Sequence, residues 1–230
     1  MSEKLIKIAG IDLAGSPRRP TGFCLIEDKN IEVTVVHDDE EIIDKLKKFD
    51  PAVVAIDAPL SLPPGRRQIE DRGGGHFRSC DLALRERGIR FFPITLGPMR
   101  MLTARGIALK KRIQRLGCRV IEVYPGAAQE VWGLPRAGSD RIGLARGLEY
   151  LAGKEFSMKL NSTSKKWSEM TADELDAVSA ALVGLLFFRN QAELYGRGRQ
   201  IIVMPRKKKN RPTKTLNQAS FQKKEVHRSG

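Results

Sequence analysis

One continuous apolar run, AVVAIDAPL at residues 52–60, restricts the fold more than any other segment of the chain. A short apolar run without polar alternation is typical of a strand covered on both faces, as in the centre of a parallel sheet. Residues 38–49 precede it with helical apolar spacing, an acidic first turn and lysines in the last turn, which suits a helix dipole. A helix followed by a buried strand predicts a crossover connection in an α/β protein.

Three strand patterns come before that helix, at residues 5–13, 21–27 and 31–37. Short, turn-rich connections join them, so we expect three antiparallel neighbours and an element order of β-β-β-α-β. Later in the chain, CRVIEVYPG predicts another short buried strand and RQIIVMP predicts a last edge strand. Between these two segments, Thr171 and Glu174 form a capping-box pattern at the start of an apolar helix.

Carboxylates occupy unusual positions in these buried strands. Asp12 lies in GIDLAGS, Asp57 in AIDAPLSLP and Glu122 in VIEVYPGAA. Neighbouring strands are about 4.8 Å apart, so acids at matching heights could reach one ion. Asp176 lies on the flank of the apolar face of the helix that begins after Thr171. Taken singly, each acid could equally cap a turn or pair with an arginine, whereas the set of four favours a shared site.

The residue types indicate which ion such a site would hold. Converging carboxylates repel one another unless a divalent cation neutralises them. Hard oxygen ligands favour Mg²⁺ or Mn²⁺ over zinc, because the three histidines and the scattered Cys24, Cys80 and Cys118 form no zinc-binding pattern. Two such ions about 4 Å apart could activate a water and stabilise the leaving oxygen in phosphodiester cleavage. We therefore expect Asp12, Asp57, Glu122 and Asp176 to be both metal ligands and catalytic residues.

Positive charge is concentrated in two segments. The chain carries a net charge of +14, of which residues 65–119 carry +10 and residues 206–230 carry +8. Such concentration favours a polyanionic partner, DNA or RNA first, although a solvated surface and a solubilising tail remain alternatives. The basic residues expected to contact phosphate are Arg66, Arg67, Arg78, Lys110 and Lys111. With no secretory leader, paired cysteines or long apolar run, a cytoplasmic protein without membrane contact is expected.

Five sequence blocks, in this order, are similar to an uncharacterised family that is labelled a predicted nuclease of ribonuclease H fold. They are GIDLAGSPRRPTGFCLI, VVAIDAPLSLP, RSCDLALRERGIRFFP, VIEVYPGAAQEVWGL and DELDAVSAALVG. The resemblance covers roughly residues 5–205. It implies a ribonuclease H-like α/β fold whose five-stranded mixed sheet has the order 3-2-1-4-5 and is flanked by helices.

The same resemblance implies the domain organisation and the acidic positions. Residues 1–205 would form the ribonuclease H-like domain, with a basic helical insertion at residues 65–118 between the fourth and fifth strands. Residues 206–230 lie outside the resemblance, and their very low apolar content predicts a disordered basic tail. Asp12, Asp57, Glu122 and Asp176 match the acidic positions of the family. Arg78 and Asp81 match a further block, in which Ser79 or Asp81 is expected to cap a helix.

Three functions are compatible with this pattern. The leading hypothesis is a metal-dependent nuclease that uses Mg²⁺ or Mn²⁺. A nucleotide-binding phosphotransferase of the actin or sugar-kinase type is the second, since that superfamily shares the core topology, but a chain of 230 residues has little room for its second domain. The third is a nucleic-acid-binding protein that has kept the fold without catalysis.

Overall fold

The structure, a computed structural model, describes residues 5–161 and 165–207, and it is built on one eight-stranded sheet flanked by six helices. The strands are β1 (Lys7–Asp12), β2 (Thr21–Glu27), β3 (Asn30–Val36), β4 (Val53–Asp57), β5 (Arg119–Val123), β6 (Lys159–Leu160), β7 (Ala192–Arg197) and β8 (Gln200–Pro205). The helices are α1 (Asp39–Phe49), α2 (Ser79–Glu86), α3 (Gly97–Arg115), α4 (Pro125–Trp132), α5 (Arg141–Glu155) and α6 (Ala172–Phe188), with a short 3₁₀ helix at Trp167–Glu169.

The sheet order is β6-β3-β2-β1-β4-β5-β8-β7. Strands β1 to β5 therefore follow the order 3-2-1-4-5, with β1–β2 and β2–β3 antiparallel and β1–β4 and β4–β5 parallel. This is the ribonuclease H-like α/β fold, as predicted. The prediction of five strands is too small by three, because β6 pairs in parallel with β3, β8 pairs in parallel with β5, and β7 pairs with β8 in a hairpin. The segment RQIIVMP is consequently β8, an interior strand, and β7 forms the edge.

Helix α6 lies directly on the centre of the sheet because three glycines allow close approach. A Cβ atom on Gly10 of β1 would lie 2.3 Å from the carbonyl oxygen of Ala177, and one on Gly22 of β2 would lie 2.0 Å from that of Asp173. On the helix side, a Cβ on Gly184 would lie 2.9 Å from Ile8 Cγ2. The sheet and helix backbones therefore meet where no side chain could fit, and this contact determines the depth at which α6 sits.

The start of α6 is set by the predicted capping box. Thr171 Oγ1 accepts a hydrogen bond from the Glu174 backbone N–H at 3.2 Å, and Glu174 Oε2 accepts one from the Thr171 N–H at 2.8 Å. Lys165 adds an ion pair to the Glu174 carboxylate at 2.8 Å. The first turn of α6 is thus held in place, and with it the position of the acids that follow.

The basic segment between β4 and β5 contributes two helices that cover different parts of the sheet. Helix α2 packs on β7 and β8 through Cys80 and Leu84, while α3 covers the face of β1 and β4 opposite α6 through Leu109 and Ile113. The three cysteines are free and buried. Within residues 5–161 and 165–207, no helix has the length and apolarity needed to cross a membrane. Disorder was predicted for residues 206–230. The residues after Lys207 lie outside the described part of the chain, so this stays a prediction.

Replacing Gly10 by alanine should destabilise the protein, because the new methyl group would meet the backbone of α6. The expected loss in the free energy of unfolding is about 1–3 kcal/mol, typical of an overpacked core. Urea denaturation followed by circular dichroism measures it. The matched control is Gly153→Ala in α5, where nothing lies within 4 Å of the added atom. That change should stabilise the helix by about 0.5–1 kcal/mol. Equal effects at both positions would contradict the proposed basis for the close approach.

Candidate active site

Asp12 and Asp57 end two adjacent parallel strands. The register of β1 and β4 pairs the two residues directly, so both carboxylates leave the sheet at its carboxyl edge. Both also lie on the face covered by α6, since side chains two residues apart share a face. Gly10 faces the α6 backbone, and the Cβ of Ala55 lies 3.2 Å from where a Cβ on Gly184 would stand. The predicted juxtaposition of these two acids is therefore what the fold produces.

Asp176 reaches the same edge from the second turn of α6. Its Oδ1 accepts a hydrogen bond of 2.6 Å from Nε2 of Gln129, which comes from α4 and is fully buried. The same amide nitrogen lies 3.1 Å from Ser179 Oγ, which donates to the Leu175 carbonyl oxygen at 3.0 Å. The Gln129 amide thus holds Asp176 in place, while its own Oε1 is buried without a hydrogen-bond partner among the described residues.

Burial raises the pKa of all three acids, and the charges of neighbouring carboxylates add to the shift. Burial raises the pKa of Asp12 well above its ordinary value, and the charges of Asp57 and Asp176 raise it further. The pKa of Asp57 is raised by burial and by the charges of Asp176 and Glu122. Burial also raises the pKa of Asp176 to about 6, although the Gln129 hydrogen bond and the charge of Arg136 oppose the shift. Within the described residues, no ion pair or side-chain hydrogen bond reaches Asp12 or Asp57.

The loop that follows Asp12 is held from two sides. The Arg105 side chain donates from Nη1 to the Ala14 carbonyl oxygen at 2.6 Å and from Nε to Asp39 Oδ1 at 2.9 Å. Thr21 Oγ1 accepts a hydrogen bond of 3.2 Å from the Ala14 N–H. These contacts connect α3, β2 and the start of α1 to the loop after β1. The loop that follows Asp12 is therefore held in place by hydrogen bonds.

Glu122 does not join this group, which corrects the prediction that it does. It pairs with Ile56 in the β4–β5 register, one residue before Asp57, and therefore points to the opposite face of the sheet. There its Oε2 accepts hydrogen bonds from Arg78 Nη1 at 2.8 Å and from the Leu60 backbone N–H at 2.7 Å. Asp81 binds the same guanidinium at 2.8 Å. The negative charge of Glu122 is thus compensated within the fold.

The expectation that Arg78 contacts phosphate is also corrected. Only 2% of its surface is exposed, and its guanidinium is shared between Glu122 and Asp81. These two carboxylates hold the pKa of Arg78 above its ordinary value in spite of burial. The Asp81 carboxylate also accepts a hydrogen bond from the Arg78 backbone N–H at 2.8 Å, so Asp81 caps α2 as expected. Arg78 joins the inserted helix to the sheet.

The four other residues expected to bind phosphate have different surroundings. Arg66 is half-buried and donates to the backbone carbonyl oxygens of Gly75, Ile69 and Asp71, which organises its own loop. Lys110 is half-buried, with Nζ 3.4 Å from the Leu60 carbonyl oxygen, and burial lowers its pKa. Arg67 and Lys111 are exposed. Arg67 and Lys111 are therefore the two members of the set that remain available to a partner.

The oxygen atoms of the three aspartates suit a divalent cation, although the side chains do not form a complete binding site. Across residues 5–161 and 165–207, no group of three His, Cys, Asp or Glu side chains is arranged closely enough to hold a metal ion. The three aspartates nevertheless lie at one edge of the sheet and are carboxylate oxygen donors, and the charge of Asp176 raises the pKa of both Asp12 and Asp57. A hard cation would relieve that repulsion once the side chains rotate toward a common point.

Sequence reasoning missed three residues near the acids. Gln129 carries no charge and lies in a helix, so only its amide within the apolar stretch GAAQEVW distinguished it. Tyr124 follows β5 directly, and its hydroxyl accepts a hydrogen bond of 3.2 Å from Arg136 Nη1. Burial raises the pKa of Tyr124, and the charge of Asp57 adds to the shift. Arg136 is thus a cation close to the acidic edge, although it also pairs with Glu130 at 2.6 Å.

Comparison with protein families matches residues 10–199 to one described as "Protein of unknown function (DUF429)". No curated protein matches the chain. Among solved structures, the chain is similar to "T. thermophilus RuvC in complex with Holliday junction substrate", at 13% identity and a TM-score of 0.47, covering 80% of this chain and 96% of that one. The "Thermus thermophilus RuvC structure" is similar at 12% identity and a TM-score of 0.44, with the same coverages. Likenesses this distant carry no conclusion about activity.

Replacing Arg78, which is buried on the sheet face opposite α6, should destabilise the protein. Arg78→Met leaves Glu122 and Asp81 without their partner, so we expect the free energy of unfolding to fall by about 3–5 kcal/mol. The loss should be smaller at pH 5 than at pH 8, because the unpaired Glu122 can then take up a proton. Urea denaturation at both pH values measures this.

The control for that change is Arg112→Met, which removes an exposed partner of Glu40. An exposed ion pair contributes about 0–1 kcal/mol. A loss at Arg78 no larger than the loss at Arg112 would show that the buried pair does not neutralise Glu122.

Replacing Asp176 by asparagine should stabilise the protein at neutral pH in a chelating buffer. The pKa of Asp176 is about 6 in the folded protein against an ordinary value of 3.8, so the wild type loses stability as pH rises between these values. Asparagine removes that loss and still accepts the Gln129 hydrogen bond. The variant should be more stable by about 1–3 kcal/mol at pH 7 and nearly equal at pH 4. Urea denaturation across this range measures the difference.

The control is Asp44→Asn on the exposed side of α1, where we expect a change below about 0.5 kcal/mol at every pH. A wild type more stable than Asp176→Asn at pH 7 without divalent ions would mean that a cation within the protein already compensates Asp176.

Proposed function

We propose that this chain, which belongs to the DUF429 family of proteins of unknown function, is a metal-dependent nuclease. Asp12, Asp57 and Asp176 would hold Mg²⁺ or Mn²⁺, and the reaction would be hydrolysis of a phosphodiester in DNA or RNA. Glu122, which the sequence suggested as a fourth ligand, is left out of this set.

One observation carries the proposal. Three carboxylates come from three different elements to one edge of the sheet, and within the described residues no ion pair reaches any of them, whereas Glu122 on the other face is paired with Arg78. A protein retains half-buried acids without ion-pair partners at a cost in stability. Such acids at the carboxyl ends of parallel strands are typical of functional sites in α/β sheets.

Each residue then has a defined part in the reaction. The bound cation would supply Lewis acidity, which lowers the pKa of a water and neutralises developing charge on phosphate oxygens. Asp12 lies between β2 and β4 and would contribute the central ligand, with Asp57 beside it. Gln129 orients Asp176 from behind, as the outer partners of ligating carboxylates do. Since the three carboxyl groups must lose protons, affinity for the cation should increase as pH rises through about 6.

The charge distribution supports a nucleic-acid substrate. The net charge of +14 attracts polyanions, and exposed basic residues such as Arg67 and Lys111 remain free to contact phosphates. The acidic edge would repel a polyanion without a cation, so substrate and metal are expected to bind together at this place.

The test combines metal binding with cleavage. Mn²⁺ titrated calorimetrically into the full chain should bind the wild type, and Asp12→Asn should weaken that binding at least tenfold. Cleavage of fluorescently labelled single-stranded and duplex DNA and RNA should require Mg²⁺ or Mn²⁺ and fall about a hundredfold or more in the variant, as when one electrostatic stabiliser of a transition state is removed.

Asp44→Asn, an exposed acid on α1, is the matched control and should leave both measurements unchanged. Undiminished cleavage in Asp12→Asn would refute the assigned site. Binding of nucleic acid by the wild type, with no cleavage under either ion, would instead identify a non-catalytic nucleic-acid-binding protein.

A further inference from the structure

A cleft of about 650 Å³ lies beside Tyr124 and Arg136, between the end of α2, the segment that follows it and the start of α4. Four aromatic side chains line it, namely Phe77, Phe91, Phe92 and Tyr124. Three arginines complete the lining, namely Arg85, Arg90 and Arg136. We call this feature the aromatic cleft. In the described part of the chain none of the lining residues is acidic, although the acidic edge of the sheet is close by.

The aromatic cleft has a fixed inner part. Phe77 and Phe91 pack edge to face, with ring centroids 6.0 Å apart and an interplanar angle of 89°. The Tyr124 hydroxyl donates a hydrogen bond of 2.9 Å to the Arg90 carbonyl oxygen and also accepts one from Arg136. These contacts hold the segment after α2 against the start of α4, so the lining is organised without a ligand.

The outer part is open and unusually apolar for an exposed surface. The Phe92 side chain is 71% exposed, so its ring stands in solvent next to the packed aromatic pair. Arg85 lies over the Phe77 ring, with its guanidinium carbon 5.2 Å from the ring centroid. Within the described residues, neither Arg85 nor Arg90 forms an ion pair, so their charges are available to an anionic partner. An exposed ring in a cleft lined by arginines favours a ligand that is flat, aromatic and anionic.

We propose that the aromatic cleft binds an unpaired nucleotide of a single-stranded nucleic acid, with the base stacked on Phe92 and the flanking phosphates beside Arg85 and Arg90. This inference deepens the proposed function and depends on it for the choice of polymer. Base stacking on aromatic side chains tolerates any base and needs an accessible base face, which a paired duplex does not offer. The preferred substrate is therefore a single strand or an unpaired region of DNA or RNA.

The position of the aromatic cleft connects it to the acidic edge. Tyr124 directly follows the last residue of β5, at the same carboxyl edge of the sheet as Asp57. The charge of Asp57 acts on Tyr124, and the charge of Arg136 acts on Asp176. A strand anchored in the aromatic cleft would therefore have its neighbouring phosphates near Asp57 and Asp176.

Fluorescence anisotropy of labelled oligonucleotides in EDTA tests the binding without cleavage. Twelve-nucleotide oligo(dT) and oligo(U) are compared with a matched duplex, using the full chain. We expect a single strand, deoxy or ribo, to bind more tightly than the duplex, and Phe92→Ala to weaken that binding by about 5- to 150-fold, the loss of one stacked base. Arg90→Ala should reduce the slope of log affinity against log salt by about 0.7.

Phe188→Ala, another exposed phenylalanine at the end of α6, is the matched control and should leave affinity unchanged. Phe92→Trp adds a direct readout, because its fluorescence should be quenched by a base-bearing strand and not by an abasic strand. Equal loss at Phe92 and Phe188, or equal affinity for the single strand and the duplex, would overturn the inference. The outcomes also separate the two proposals: Phe92-dependent binding without cleavage refutes only the nuclease, and cleavage without Phe92 dependence refutes only the aromatic cleft.

Discussion

The contact between α6 and the centre of the sheet determines most of what this protein can do. Gly10 and Gly22 let the helix backbone approach β1 and β2 so closely that a single methyl group would not fit. This depth carries Asp176 to the edge where Asp12 and Asp57 end their strands. Had the helix rested on ordinary side chains, its acid would lie farther from the sheet, because interiors pack at nearly crystal density and adjust little.

The sequence, through local patterns, predicted the β-β-β-α-β element order and the capped start of α6, whereas the sheet order 3-2-1-4-5 was implied by the resemblance to the ribonuclease H-like family. Hydrophobic period, turn residues and the Thr171–Glu174 box are all readable along the chain. It did not predict the hairpin of β7 and β8, since strand pairing between distant segments leaves little local trace. The five-stranded core was accordingly predicted, and the full width of the sheet was not.

The candidate site was likewise predicted only in part. Asp12 and Asp57 occupy equivalent ends of two parallel strands, so their pairing follows from strand order alone. Glu122 was predicted as a fourth ligand, but it lies one residue before the end of β5, opposite Ile56, and a shift of one residue reverses the direction of a side chain. Gln129 was not foreseen, since an uncharged amide acquires meaning only when folding places it against a carboxylate.

The buried group formed by Glu122, Arg78 and Asp81 has a consequence for how the chain could be shortened or recombined. The strand supplies one carboxylate, and the inserted segment supplies the arginine that neutralises it. A chain lacking residues 65–118 would keep Glu122 in the sheet without a counter-charge. The inserted segment therefore cannot be exchanged independently of the sheet. The charge of Glu122 is balanced only when the segment that carries Arg78 is present.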